Sequence, residues 1–298
     1  MIRTALAVYL ALLGLRCLLK YWKGGVCKSK KRLDGKRIIV TGTTSGIGYE
    51  TALDLAKRGS TVIMACRTEL SALICRSRML ECSPELKPQQ LVAKTLDLAS
   101  FESIRAFCDE IQAEYTSIDA LVCTASIRAT KYPGSKTLDG LPLVIGTNYV
   151  GNFVLVKLLL PLLLRNKIFP DKGRVIVVSS SKHYQAKSHW NDILELHDGT
   201  EYENSMLANV AFCKDLARRN MFQPFITASV NPGLVATDMK NRTLAQYILY
   251  PFTKSDFAGA QTILHCLLDD DIVSGAYYSD CARTRESSFA TQHFSFQL

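Results

Sequence analysis

From residue 37 onward, short apolar runs alternate with stretches of helical periodicity. The apolar runs fall at 38–40, 61–66, 91–96, 120–123, 174–178, 225–230 and 275–278. Most are continuous rather than alternating and rich in β-branched residues, the pattern of strands covered on both faces. Between them, residues 49–57, 101–115, 148–165, 203–220 and 255–268 carry apolar positions at helical spacing. Strand–helix alternation of this kind predicts an α/β fold: one doubly wound parallel sheet of about seven strands, with helices on both faces. The longest insertions, 181–202 and 240–253, follow the carboxyl ends of strands, where open α/β sheets bind their ligands.

Ahead of this body lies a leader of different character. Residues 5–15 are apolar, Arg16 interrupts, and 17–19 resume. Lys20, Tyr21 and Trp22 follow, and the basic cluster continues through Lys23, Lys28, Lys30, Lys31 and Arg32. The spacing fits a membrane-embedded N-terminal helix with an interfacial aromatic pair and its basic flank in the cytosol. The division expected is therefore an anchor and basic segment over 1–32 and a folded domain over 33–298. A cleaved secretory signal, with a lumenal or secreted body, is the alternative.

Charge sharpens this division. Residues 1–37 hold ten Lys or Arg against one acid, and the remaining 261 hold 26 of each sign. A neutral body offers no surface for tracking phosphates, so nucleic acid is not an expected partner. Ten cysteines are scattered without paired or metal-like spacing, and Cys66 and Cys123 end apolar runs, which fits a reduced compartment and no metal. The sequon at Asn241-Arg242-Thr243 matters only for a lumenal body.

The first apolar run opens directly into Thr41-Gly42-Thr43-Thr44-Ser45-Gly46-Ile47-Gly48 and then into a helical stretch. Strand, glycine turn and helix N-terminus together form a pyrophosphate site. Glycine lets the backbone approach, and the first-turn N–H groups favour negative charge. The second run ends at Cys66-Arg67, about twenty residues on, where an acid would accept the ribose hydroxyls of NAD. Arg67 suits a 2′-phosphate instead, which points to NADP(H).

With these motifs in place, the chain resembles the short-chain dehydrogenase/reductases, in particular their retinol dehydrogenase-like branch, over about residues 33 to 280. The resemblance implies a Rossmann-type fold and hydride transfer between NADP(H) and an alcohol or carbonyl carbon. It carries cofactor contacts onto Gly42, Thr44, Ser45, Gly46, Ile47, Gly48, Arg67, Asp97, Leu98 and Ala125. It adds Pro232, Gly233, Val235 and Thr237 against the nicotinamide. By the same resemblance, Thr147-Asn148-Tyr149-Val150-Gly151 holds an active-site asparagine, Asn148, and Val178-Ser179-Ser180 a serine, Ser180. Tyr202 falls at the proton-exchanging tyrosine, and Tyr202 and Met206 are both expected against the cofactor.

Two departures stand out. Ser205-Met206-Leu207-Ala208-Asn209 occurs where the family has Ser-Lys-Leu-Ala-Asn, so Met206 replaces the lysine that assists the tyrosine. Cys123-Thr124-Ala125-Ser126 stands where Asn-Asn-Ala-Gly is usual. Two functions therefore remain open. One is an NADP(H)-dependent oxidoreductase acting on a small lipophilic substrate of retinoid or steroid type, with a rate lowered by Met206 unless another lysine reaches in. The other is a catalytically weak or inactive, membrane-tethered NADP(H)-binding protein acting through partners. The apolar segments at 183–193 and 244–252 suit a greasy ligand. The resemblance further implies an endoplasmic-reticulum membrane with the body in the cytosol, and leaves homodimer formation open.

Overall fold

In the computed structural model, the described residues are 9, 14, 24–128, 134–165, 171–186, 199–235 and 253–291. Eight strands form one sheet in the order β3-β2-β1-β4-β5-β6-β7-β8. They are β1 (Arg37–Thr41), β2 (Thr61–Cys66), β3 (Leu91–Thr95), β4 (Ala120–Cys123), β5 (Gly173–Val178), β6 (Phe225–Asn231), β7 (Tyr277–Ser279) and β8 (Ala282–Thr284). The first seven are parallel and β8 returns antiparallel to β7. The order reverses between β1 and β4, so a crevice opens at their carboxyl ends.

Six main helices cover the sheet: α1 (Gly46–Lys57), α2 (Glu69–Cys82), α3 (Phe101–Glu114), α4 (Leu143–Leu164), α5 (Glu201–Arg219) and α6 (Asp256–Leu268). Successive residues of one strand feed opposite layers. Ile39 packs with Phe107 of α3, Leu155 of α4 and Phe212 of α5. Its neighbours Ile38 and Val40 pack with Leu55 of α1, Met79 of α2 and Ile263 of α6. A strand buried on both sides has no polar face, which is why these runs are continuous.

The sheet has one strand more than the expected seven. β8 is three residues long and largely exposed, so it carries no apolar run. Its hairpin turns through Asp280 and Cys281 at φ 52° and 57°. That turn geometry ordinarily announces itself with glycine, and here it does not. α2 also escaped the periodicity, because its outer face exposes Leu70, Leu73 and Ile74 and blurs the stripe. α4 begins before residue 148 and widens into a π-turn over Gly146–Val150.

Among the described residues, α4 is the helix long and apolar enough to cross a bilayer by length and composition, and most of that window is buried inside the fold. The expected anchor falls almost entirely outside the described residues. Residues 24–36 lie against the body. Cys27 N donates to Gln261 Oε1 at 3.1 Å, Leu33 N to Arg58 O at 2.8 Å, and Lys31 Nζ meets Asp270 Oδ1 at 2.6 Å. The described cysteines are all free.

Candidate active site

The glycine turn leaves β1 at Gly42 with φ 69°, in the left-handed region that suits glycine. A Cβ at Gly48 would lie 2.3 Å from Gly42 O and 2.6 Å from Thr124 Oγ1. Only glycine allows α1 to start that close to the turn. The turn is propped from behind by sulfur: Thr43 Oγ1 and Cys66 Sγ are 3.1 Å apart, and Cys75 Sγ donates to Thr43 O at 2.9 Å. Burial pushes the Cys75 thiol up to about 11, so it stays a neutral donor.

The N-terminus of α1 is unlike those of its neighbours. Thr68, Ser100 and Ser255 cap α2, α3 and α6 with side-chain oxygens, and Glu69, Glu102 and Asp256 lie in those first turns. Ser45 makes no capping bond to α1, whose first turn holds no acid. The leading N–H groups and the positive end of the helix dipole thus face outward without an internal anion. This donor set fits a pyrophosphate, with Thr44, Ser45, Gly46 and Ile47 at the rim.

Arg67 follows β2 directly and is exposed, with no hydrogen-bond or ion-pair partner among the described residues. Asp97 and Leu98 follow β3. Asp97 Oδ1 accepts from Ala99 N at 2.9 Å and fixes that turn, while Leu98 is buried under Gly151 of α4. Ala125 follows β4, and its Cα would lie 2.9 Å from a Cβ on Gly42. Pro232, Gly233 and Val235 follow β6. Asn231 Oδ1 accepts from Gly233 N at 3.0 Å, and the buried Lys254, paired with Asp280, lies beneath Gly233. Thr237 lies outside the described residues, as do 187–193 and 244–252.

The altered turn after β4 is braced in its own way. Thr41 Oγ1 accepts from Thr124 N and Ala125 N, each at 3.1 Å, and Thr124 Oγ1 donates to Thr41 O. Two hydroxyls therefore tie the ends of β1 and β4 together where the family resemblance expects an asparagine amide.

Asn148 is fully buried in the π-turn of α4. Its Oδ1 accepts from Ile127 N and its Nδ2 donates to Ile127 O, both at 2.8 Å. Nδ2 also donates to Ser205 Oγ at 3.1 Å, and Ser205 Oγ donates to Tyr202 O at 2.7 Å. One amide thus joins the loop after β4 to the first turn of α5. A second pair of bonds staples α5 to β5: Ser179 Oγ to Met206 O at 2.8 Å and Asn209 Nδ2 to Val178 O at 3.1 Å. Ser180, the next residue, caps a short turn over Ser181–Gln185. Ser180 and Tyr202 therefore come to the same carboxyl edge of the sheet, half-buried. Met206 is fully buried, and its side chain offers no positive charge there.

The sequence did not single out His183, Thr41, Ser179 or Ser205 as site supports. His183 is fully buried. Its Nδ1 lies 2.7 Å from Ser180 O and its Nε2 accepts from Ser287 N at 3.1 Å. That pattern fixes the neutral tautomer with the proton on Nδ1. Burial lowers its pKa below the usual histidine value. Its partner Ser287 is 104 positions away, so no local signal could have marked the pairing.

Comparison with known proteins agrees with this architecture. A family model described as short chain dehydrogenase matches residues 36–247. Retinol dehydrogenase 12 of Homo sapiens is 37% identical over 274 residues, covering 89% of this chain and 84% of its own length. Retinol dehydrogenase 11 of Homo sapiens is 36% identical over 272 residues, covering 88% of this chain and 82% of its own. An uncharacterised protein from Mycobacterium paratuberculosis superposes with a TM-score of 0.69 at 26% identity, over 90% of this chain and 91% of that one. A short chain dehydrogenase from Shigella flexneri, crystallised with NADP, has the same fold at a TM-score of 0.63 and 24% identity, over 84% and 98%. With its glycine turn at the switch point of the sheet and this extent of likeness, the chain belongs to the short chain dehydrogenase family of oxidoreductases.

Proposed function

We propose that this oxidoreductase moves hydride between NADP(H) and a small lipophilic alcohol or carbonyl compound of retinoid or steroid type. The observation that carries the reading is the uncapped, acid-free start of α1, with Arg67, which has no partner among the described residues, at the end of the adjacent strand β2. The first suits a pyrophosphate and the second a 2′-phosphate. The fold neighbour crystallised with NADP indicates that this architecture accommodates that nucleotide. Retinol dehydrogenases among the relatives support the lipophilic substrate.

The nucleotide, when bound, supplies or takes the hydride. In this reading the chain's residues do the rest. Gly42 to Gly48 and Arg67 hold the phosphates; Asp97, Leu98 and Ala125 border the adenosine half, and Pro232, Gly233, Val235 and Thr237 the nicotinamide. Ser180 Oγ donates to the substrate oxygen, and Tyr202 gives that oxygen its proton in reduction and takes it in oxidation. Asn148 holds the two loops that frame Tyr202. Met206 takes the place of the family lysine, so the tyrosine receives no ammonium from its own helix. Losing tuned proton transfer costs about 10²- to 10⁴-fold.

That substitution also favours a second reading, an NADP(H)-binding protein with little turnover that acts through partners. In either case residues 1–32 serve as membrane anchor and basic flank, with the body in the cytosol at the endoplasmic reticulum; a lumenal body is the other topology, and a homodimer the simplest assembly. Titration with NADPH, then assay with retinaldehyde, a ketosteroid and a medium-chain aldehyde, separates the readings. Turnover lost in Tyr202→Phe supports the enzyme. Tight NADPH binding with no turnover on any probe supports the second reading, and no affinity for NADPH overturns both.

A further inference from the structure

We propose that Arg128 is a positioning residue that supplies, across the ring of Tyr202, the positive charge that Met206 does not provide. The inference rests on the reading of Tyr202 as the proton donor. The Arg128 guanidinium carbon lies 5.5 Å from the centroid of the Tyr202 ring, within cation–π range.

The contact is built from two anchored ends. Ile127, the residue before Arg128, is clamped through both its N–H and its C=O by the Asn148 amide. Tyr202 is held by its carbonyl to Ser205 Oγ, which accepts from the same amide. The buried Asn148 side chain therefore fixes the backbone on both sides of the contact.

Among the described residues, the lysine that approaches the neighbouring Glu203 is already engaged. Lys182 donates to Gln185 and approaches Glu203 to 3.9 Å. Glu201 and Glu203, on the same helix turn as Tyr202, carry the opposite sign. Among the described residues, Arg128 is the cation that meets the ring.

When Tyr202 passes its proton to the substrate oxygen, the O–H bond of the phenol breaks and its electron pair stays on the phenolate. The substrate oxygen gains the O–H bond, and solvent later restores the proton. A guanidinium keeps its charge throughout this cycle, unlike a buried amine. It therefore favours the phenolate side of the exchange without entering it.

The test compares the full chain with Arg128→Met, Arg128→Lys and Tyr202→Phe. Arg128 is solvent-exposed, so with NADPH and retinaldehyde Arg128→Met is expected to lower kcat about threefold with KM unchanged. The pH–rate profile should move upward, and Arg128→Lys should recover most of the rate. An unchanged kcat and pH profile in Arg128→Met overturns the proposal. So does an effect confined to KM, which would make Arg128 a substrate contact. Should Tyr202→Phe itself leave the rate unchanged, the proton-donor reading fails and this proposal with it; a rate lost in Tyr202→Phe but kept in Arg128→Met overturns this proposal alone.

Discussion

Asn148 Nδ2 donates to Ser205 Oγ across 3.1 Å, and by that bond α4 holds the first turn of α5. The same amide closes two bonds on Ile127, so both of its hydrogens and its oxygen are used. A buried amide joining three segments is an all-or-none device, because losing one partner strands the others.

Asn148→Ala should therefore destabilise the fold by about 2–4 kcal/mol, since it leaves the Ile127 N–H and C=O without partners. Urea unfolding measures this. A loss below about 0.5 kcal/mol would mean that the loop finds other partners.

Gly48→Ala places a methyl 2.3 Å from Gly42 O, so α1 must retreat from the turn. NADPH affinity should fall at least about tenfold, by fluorescence titration, because the N–H groups no longer converge on one point. An unchanged Kd would remove the pyrophosphate cradle from this turn.

Arg67→Glu tests the nucleotide preference. The substitution replaces an exposed cation with an acid beside the expected 2′-phosphate. The ratio of NADPH to NADH affinity should drop by about a hundredfold, mostly through weaker NADPH binding. Equal losses for both nucleotides would show that the side chain does not discriminate at that phosphate.

Met206→Lys places a cation one turn after Tyr202, where the family resemblance expects a lysine. If the rest of the site is assembled, kcat should rise about a hundredfold. Because Met206 is fully buried, the variant should also unfold more easily until nucleotide binds and pairs with the ammonium. No gain in rate despite intact NADPH binding would count against Tyr202 as proton donor.

His183 predicts a pH dependence of stability. Its folded pKa is lowered by burial, so the unfolded state binds the proton more readily. Stability attributable to His183 is present above the unfolded value of about 6.5 and is lost as pH falls below it, by at most about 1.4 kcal/mol per pH unit. The protonated ring could not accept from Ser287 N, which loosens the support under Ser180. Thermal unfolding from pH 7.5 to 5 should show a steeper loss for the wild type than for His183→Asn; equal slopes would refute the assignment.

The apolar runs were enough to place most of the sheet. Strands buried on both faces must be continuous apolar runs, and six of the seven expected runs occupy nearly their expected positions. The seventh, expected over 275–278, begins at Tyr277, and β8, short, exposed and turned through Asp280 and Cys281, leaves no hydrophobic trace. The glycine turn was legible for the same local reason: one short segment sets both its backbone shape and its closeness to α1. Tertiary structure alone decided what surrounds the proton-transfer candidates. Ile127 and Asn148 are 21 positions apart, Asn148 and Ser205 57, and His183 and Ser287 104. Such pairs share neither period nor motif, and only the packing of α4, α5 and the strand ends brings their hydrogen-bonding groups within reach of one another.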